Sequence, residues 1–343
     1  MIDLDGNQIT HGMGVTDREC VMLRRTMIAG AAGAAAMGLA GPTSAQLKGD
    51  VRIFCGFPPG GTADLLCRLL ADSTGPVIGQ KMIVETKTGA SGFIANEAVA
   101  KSPPDGQTIL LAAMAAFCVA PVMPGQKLPI DVDKDLTPII NIAGVYNMLV
   151  VGKHVTLRTV PEIIDFAKKN PGKLSYASAG NGTSQHLAGE LFKRMAGVDL
   201  LHIPYRGGAP AIQDMVAGNV DLMFGNMPEF LGQIGGKNLI PIAFGAPRPS
   251  PMFADLPTIS KTVPGFEVVN WFGIFGPGGM PKPMIEYWNK SLTAAVAKPD
   301  MQKRFLENGM ETLTGPTEQL AAVIAKDRAK WSEVIKAAGM RAD

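Results

Sequence analysis

The stretch of this sequence best suited to chemistry is a bare turn, Phe57-Pro58-Pro59-Gly60-Gly61-Thr62-Ala63-Asp64, set between an apolar run at 51–57 and a helical one at 64–70. Its two prolines exclude a central strand and an ordinary helix interior. Its two glycines admit backbone angles that close a tight turn with main-chain N–H groups pointing outward. With Thr62 as N-cap, unpaired donors and the positive end of a helix converge on one spot, which suits a carboxylate or a phosphate. The theme recurs twice. Ala179-Gly180-Asn181-Gly182 leads into a helix capped by Thr183 or Ser184, and Tyr205-Arg206-Gly207-Gly208 opens a helix over 209–217. The plainer alternative is that each is only a turn, as Pro-Gly-Gly runs between strand and helix often are.

Groupings that would do covalent chemistry are missing from the sequence. There is no GxSxG elbow, Walker lysine or GxGxxG fingerprint, and the first loop lacks the lysine that a phosphate-transfer loop needs. Ser184 and His186, two apart on a helix, face different directions and make a poor nucleophile and base. His154, His186 and His202 show no metal spacing, and for each the bland reading is a surface or capping role. His186 is the one expected to touch ligand, because the first turn of a glycine-led helix faces whatever that helix start binds. Cys55, Cys67 and Cys118 form no CxxC or Cys/His cluster. Buried small hydrophobes is the favoured reading, although an oxidising compartment would allow one bridge with one thiol over. Neither a cofactor nor a metal is expected.

Several elements must position these loops. Apolar extended runs at 51–57, 82–85 and 108–114 alternate with helices at 64–70 and 92–101, which describes a parallel α/β unit with its first loop at a strand's carboxyl end, where such sheets bind ligands. A second unit starts with a strand at 147–151 and a helix at 160–170. Strands at 173–178, 200–204, 220–224 and 240–245 follow, interleaved with the two further glycine-led helices. An apolar run at 268–275, containing Trp271, is long enough to cross back to the first unit. Helices at 281–297 and from Pro299 complete the chain with one capped by Thr317, whose Leu320, Val323, Ile324, Trp331 and Ile335 share a face that reads as core.

With 343 residues the chain exceeds one typical core and implies two lobes. A hydrophobic fraction of 46% against 18% charged residues describes a packed globular protein, and a net charge of +2 with no Lys/Arg-rich run excludes nucleic acid as a partner. Arg24 and Arg25 precede a small, apolar run at 28–40, too short for a membrane span but fitting a signal-peptide core, with Thr43-Ser44-Ala45 as the cleavage site. Four acidic residues precede the arginine pair, so translation is expected to start at Met22. Export by the Sec or the twin-arginine route remains open.

Taken together, these motifs resemble a known family. Pro58-Pro59-Gly60-Gly61-Thr62-Ala63-Asp64, Pro104-Asp105-Gly106, Asn170-Pro171-Gly172-Lys173-Leu174, Gly180-Asn181-Gly182-Thr183 with His186, and Pro204-Tyr205-Arg206-Gly207-Gly208-Ala209-Pro210-Ala211 occur in the order seen in the Bug family, the extracytoplasmic receptors of tripartite tricarboxylate transporters. The resemblance covers the chain from Val51 onward. It implies an α/β fold of the periplasmic binding protein type II kind, two Rossmann-like lobes with a ligand cleft between them: 46–149 with 271–343, and 150–270. It implies a periplasmic monomer that closes on a small organic acid and delivers it to membrane permease subunits. A sensor subunit of a signalling system, or a periplasmic enzyme, are the alternatives. Phe57, Pro59, Gly60, Gly61, Thr62 and Asp64 of the first loop and Ala179, Gly180, Asn181, Thr183 and His186 of the second are then the ligand-binding set, joined by Ala113, Tyr205 and Asn226.

Two departures from the family pattern bear on specificity. Thr86-Lys87-Thr88-Gly89 stands where many relatives have Asn-Arg-Pro-Gly, and Phe224-Gly225-Asn226 stands where many have Phe-Asp-Asn. Gly225 removes an acid near the cleft, which argues against an amino-acid ligand and for a dicarboxylate or aromatic acid. The apolar residues at 112–117 leave room for a ring or an alkyl body.

Overall fold

The computed structural model describes residues 47–342. The parallel unit read from the first loop is present: β1 (Val51–Cys55) lies between β2 (Met82–Thr86) and β3 (Thr108–Ala113), parallel to both. Helix α1 (Thr62–Ile78) joins β1 to β2, α2 (Phe93–Ala100) joins β2 to β3, and the short α3 (Met114–Cys118) follows β3 directly.

What holds the sheet together is β4 (Leu136–Gly152), a strand of 17 residues. Its first part, through Tyr146, pairs antiparallel with β9 (Val269–Pro277), and from Asn147 to Val151 it pairs antiparallel with β7 (Leu222–Asn226). One strand therefore runs through two half-sheets, giving the order β2-β1-β3-β9-β4-β7-β5-β6 with β5 (Ser175–Ser178) and β6 (Leu201–Pro204). β8 (Leu239–Phe244) and β10 (Met310–Thr312) also pair with β4. β5, β6 and β7 are parallel, so the second half-sheet repeats the logic of the first.

The second half carries α4 (Val160–Lys169), α5 (Ser184–Ala196), α6 (Gly208–Ala217) and α7 (Met227–Gly235). Helices α8 (Lys282–Val296), α9 (Pro299–Glu307) and α10 (Thr317–Ala338) complete the described chain. α4 starts with a capping box: the Thr159 hydroxyl accepts from the Glu162 N–H while the Glu162 carboxylate accepts from the Thr159 N–H. Trp331, Leu320 and Ile335 of α10 are buried, and the Trp271 indole N–H on β9 donates to Asp327 at 2.8 Å, tying that helix to the sheet.

Several elements differ from the sequence reading. β4 begins eleven residues before Asn147, because Thr137, Pro138 and Asn141 interrupt the apolar pattern; the register shifts between Pro138 and Ile140 and again between Asn141 and Ala143. α7 and β10 were not read as elements. Thr317 is the first residue of α10 instead of its cap, and its hydroxyl donates to the Ile139 carbonyl at 2.8 Å. Cys55, Cys67 and Cys118 are all unpaired and buried. No helix among the described residues is long and apolar enough to cross a membrane. The expected signal segment, its cleavage site and the start at Met22 lie outside the described residues.

Candidate ligand-binding cleft

The first loop holds its shape without help from any ligand. Gly60 takes φ +85°, a left-handed conformation that favours glycine, and its N–H donates to the Asp64 carboxylate at 3.1 Å. Arg68, one turn further on, grips both oxygens of the same carboxylate at 3.0 Å. Asp64 is thus a strut under the loop, and it keeps the last backbone donor before Gly61 occupied. The N-cap of α1 is Gly61, not Thr62, and it supplies no side-chain cap. The Thr62 N–H, the first of the first-turn donors of α1, is met by the Glu229 carboxylate. Gly61 itself has an ordinary φ of −90°.

The second loop comes from the other half-sheet and, unlike the first, carries a side-chain cap. Gly180 and Gly182 take φ +132° and +74°. Thr183 is the N-cap of α5: its hydroxyl donates to the Gly180 carbonyl at 2.7 Å and accepts from the His186 N–H. The Ala179 N–H donates to the Gln185 side-chain oxygen at 2.5 Å.

The two loops line one cleft. Phe57, Gly61 and Thr62 contribute from the first, and Ala179 and Thr183 from the second, while Ala113 at the end of β3 and Asn226 at the end of β7 close the floor. Pro58, Ala63, Ala115 and Phe272 supply an apolar wall. No lysine or arginine occurs among the described lining residues. Whatever negative charge the cleft accepts is held without a cationic side chain in the lining.

The remaining candidates lie elsewhere. Gly180, Asn181 and Tyr205 line an adjoining crevice with Ser91, whose hydroxyl donates to the Asn181 carbonyl at 2.9 Å across the opening between the halves. Tyr205 donates its hydroxyl to Asp214 at 2.7 Å. Pro59 and Gly60 are exposed and line neither space, and Asp64 is behind the loop. His186 accepts from the Gly182 N–H at 3.1 Å and stacks on His202 with ring centroids 4.1 Å apart, so it buttresses the second loop from outside the cleft.

Sequence reasoning missed Ser184, Gln185, Gly208, Asn270 and above all Glu229. Oε1 of Glu229 accepts from the Thr62 hydroxyl at 2.9 Å and from the Asn226 amide at 3.3 Å, and Oε2 accepts from the Gln185 amide at 2.8 Å. One carboxylate thereby joins α1 of the first half to α5 and α7 of the second. Burial pushes its pKa up against the opposing pull of these donors. A signal was present: Asn226 followed three residues later by Glu229, with a proline between, is an N-terminus pattern for a helix.

The fold, with two facing glycine-led helix starts over a shared cleft, defines a two-lobed solute-binding protein of the periplasmic type II kind. The chain belongs to the tripartite tricarboxylate transporter family receptor family, whose profile matches residues 66–340. It is 36% identical over 281 residues to the UPF0065 protein in the tcbD-tcbE intergenic region of Pseudomonas sp. (strain P51), covering 81% of this chain and 83% of that one. Among solved structures it resembles R. palustris Rpa4515 with adipate, at 31% identity and TM-score 0.83, over 88% of this chain and 99% of that one. The periplasmic binding protein BugD matches at 34% identity and TM-score 0.81, over 86% and 99%. MatC (Rpa3494) from Rhodopseudomonas palustris with bound malate matches at 27% identity and TM-score 0.76, over 83% and 98%.

Proposed function

We propose that this chain is an extracytoplasmic receptor, exported to the periplasm, that captures a small organic carboxylate by closing its lobes and delivers it to a tripartite tricarboxylate transporter permease. The observation that carries this reading is the convergence of two glycine-led helix starts, at Gly61-Thr62 and Ala179–Thr183, on one cleft without a lysine or arginine in its lining. A partly desolvated carboxylate is the ligand such donors match. Relatives solved with adipate and with malate support that ligand class. The lobes are 46–149 with 271–343, and 150–270. The exchange of partners along β4 at Tyr146/Asn147 supports a hinge there, with β9 as its second strand. Each lobe contacts part of the acid, so ligand favours the closed state by the difference in contacts.

The test is a thermal-shift and calorimetric screen of the chain from Gln46 against mono- and dicarboxylates. A bound acid at a hundredfold over its Kd stabilises the fold by about 2.7 kcal/mol and raises Tm accordingly. Failure of every organic acid to raise Tm overturns the reading. Recovery of the bound acid unchanged after long incubation separates a receptor from an enzyme, and loss of uptake of that acid in cells lacking the receptor tests delivery to the permease.

A further inference from the structure

We infer that Glu229 selects the group the ligand turns toward it: the cleft takes an organic acid that presents a hydrogen-bond donor, an ammonium or a hydroxyl, toward Glu229, and discriminates against one that places an ionised carboxylate there. This rests on the reading of the cleft as an organic-acid site. The Glu229 carboxylate is held in the cleft by three side-chain donors at 2.8–3.3 Å, from Thr62, Asn226 and Gln185. Its place is built into the backbone as well. A Cβ on residue 208 would come within 2.6 Å of Glu229 Oε2, so the glycine at the start of α6 makes room for that oxygen.

A second acceptor points the same way. Asn270 of β9 is 2% exposed and lines the cleft, and its amide N–H donates to the Asn226 side-chain oxygen at 3.1 Å. Its own oxygen has no partner. A buried acceptor left unpaired costs stability, which a donor on the ligand would recover. Glu229 is the one titratable side chain among the described lining residues. The cationic Arg68 is committed to Asp64 behind the loop, so no cation among the described lining residues pairs with Glu229. The carboxylate and the unpaired amide oxygen make this part of the cleft an acceptor pole, and a second ionised carboxylate there would face like charge in a low-dielectric space.

The inferred acceptor pole differs from the expectation drawn from Gly225. A Cβ at that position would lie 2.4 Å from the Phe230 ring, so packing leaves no room there for a larger side chain. The acid of the cleft is Glu229.

The experiment is calorimetry of the chain from Gln46 and of Glu229→Gln with a matched four-carbon set: succinate, malate, aspartate and butyrate. The wild type is expected to bind aspartate or malate at least about tenfold more tightly than succinate, and the variant to shrink or invert that ratio. An unchanged ratio in a variant that still binds, or a wild-type preference for succinate, overturns the role of Glu229 alone. Binding of no acid by either protein overturns the organic-acid reading, and this one with it. Should the variant fail to fold, wild-type titrations in two buffers of different ionisation enthalpy decide instead. Succinate is expected to bind with uptake of about one proton and aspartate with none; succinate binding without proton uptake overturns the inference.

Discussion

Thr62 does two jobs at the mouth of the cleft. It begins α1, and both its backbone N–H and its hydroxyl hold Glu229. Thr62→Pro removes both donors at a position where a helix tolerates proline, and Gly61 before it already has the extended backbone that a following proline requires. We expect Thr62→Pro to fold, with Tm within a few degrees of the wild type, and to weaken ligand binding about tenfold or more in calorimetry. Gly61→Val is expected to behave alike for a different reason. The φ of −90° suits any residue, and the nearest atom to a new Cβ is the Pro58 carbonyl at 3.7 Å, so the added branches intrude on the cleft without straining the chain. Unchanged affinity in both variants would count against a ligand seated on α1. These positions were legible in the sequence because proline and glycine restrict the backbone locally. Glu229 was not, since its meaning depends on a threonine 167 residues away.

At the scale of elements, the packing of α5 against β5 and β6 has a pH signature. His202 of β6 is stacked between Tyr176 of β5, with ring centroids 4.7 Å apart, and His186 of α5, and is hydrogen-bonded to the Ser178 hydroxyl at 2.7 Å. Burial, with the nearby His186 and Lys193, pushes its pKa down to about 3. The unfolded chain takes up that proton near pH 6.5, before the folded one does, so this contribution to stability is complete above about pH 6.5 and is lost progressively as pH falls toward 3. Tm is expected to fall more steeply between pH 6.5 and 4.5 in the wild type than in His202→Asn; parallel profiles would refute this. Most helices and parallel strands were legible from caps and apolar periodicity. α7 escaped because its glycines and Pro228 resemble loop composition, and β10 because three residues carry no period.

For the whole molecule, β4 is the shared strand through which both halves communicate. Near its change of partners, Tyr146 donates its hydroxyl to Glu311 of β10, and Arg248, from the chain after β8, meets the same carboxylate at 2.6 Å. This cluster sits beside the proposed hinge and bridges segments of both half-sheets. A ligand that engages both loops should draw the lobes together, so small-angle scattering is expected to show a smaller radius of gyration with a bound acid than without it. Identical scattering curves in the two states would exclude closure on the scale proposed.

The sequence by itself determined the α/β class, the glycine-led helix starts and the membership that their order implies, because each is written in local backbone restrictions and short-range periodicity. Only the tertiary structure decided which of those starts share a cleft, that Asp64 and His186 support loops from behind, and that Glu229 and Asn270 face the interior. Those outcomes depend on contacts between residues far apart in the chain, and no local pattern encodes which distant side chain will occupy a given donor.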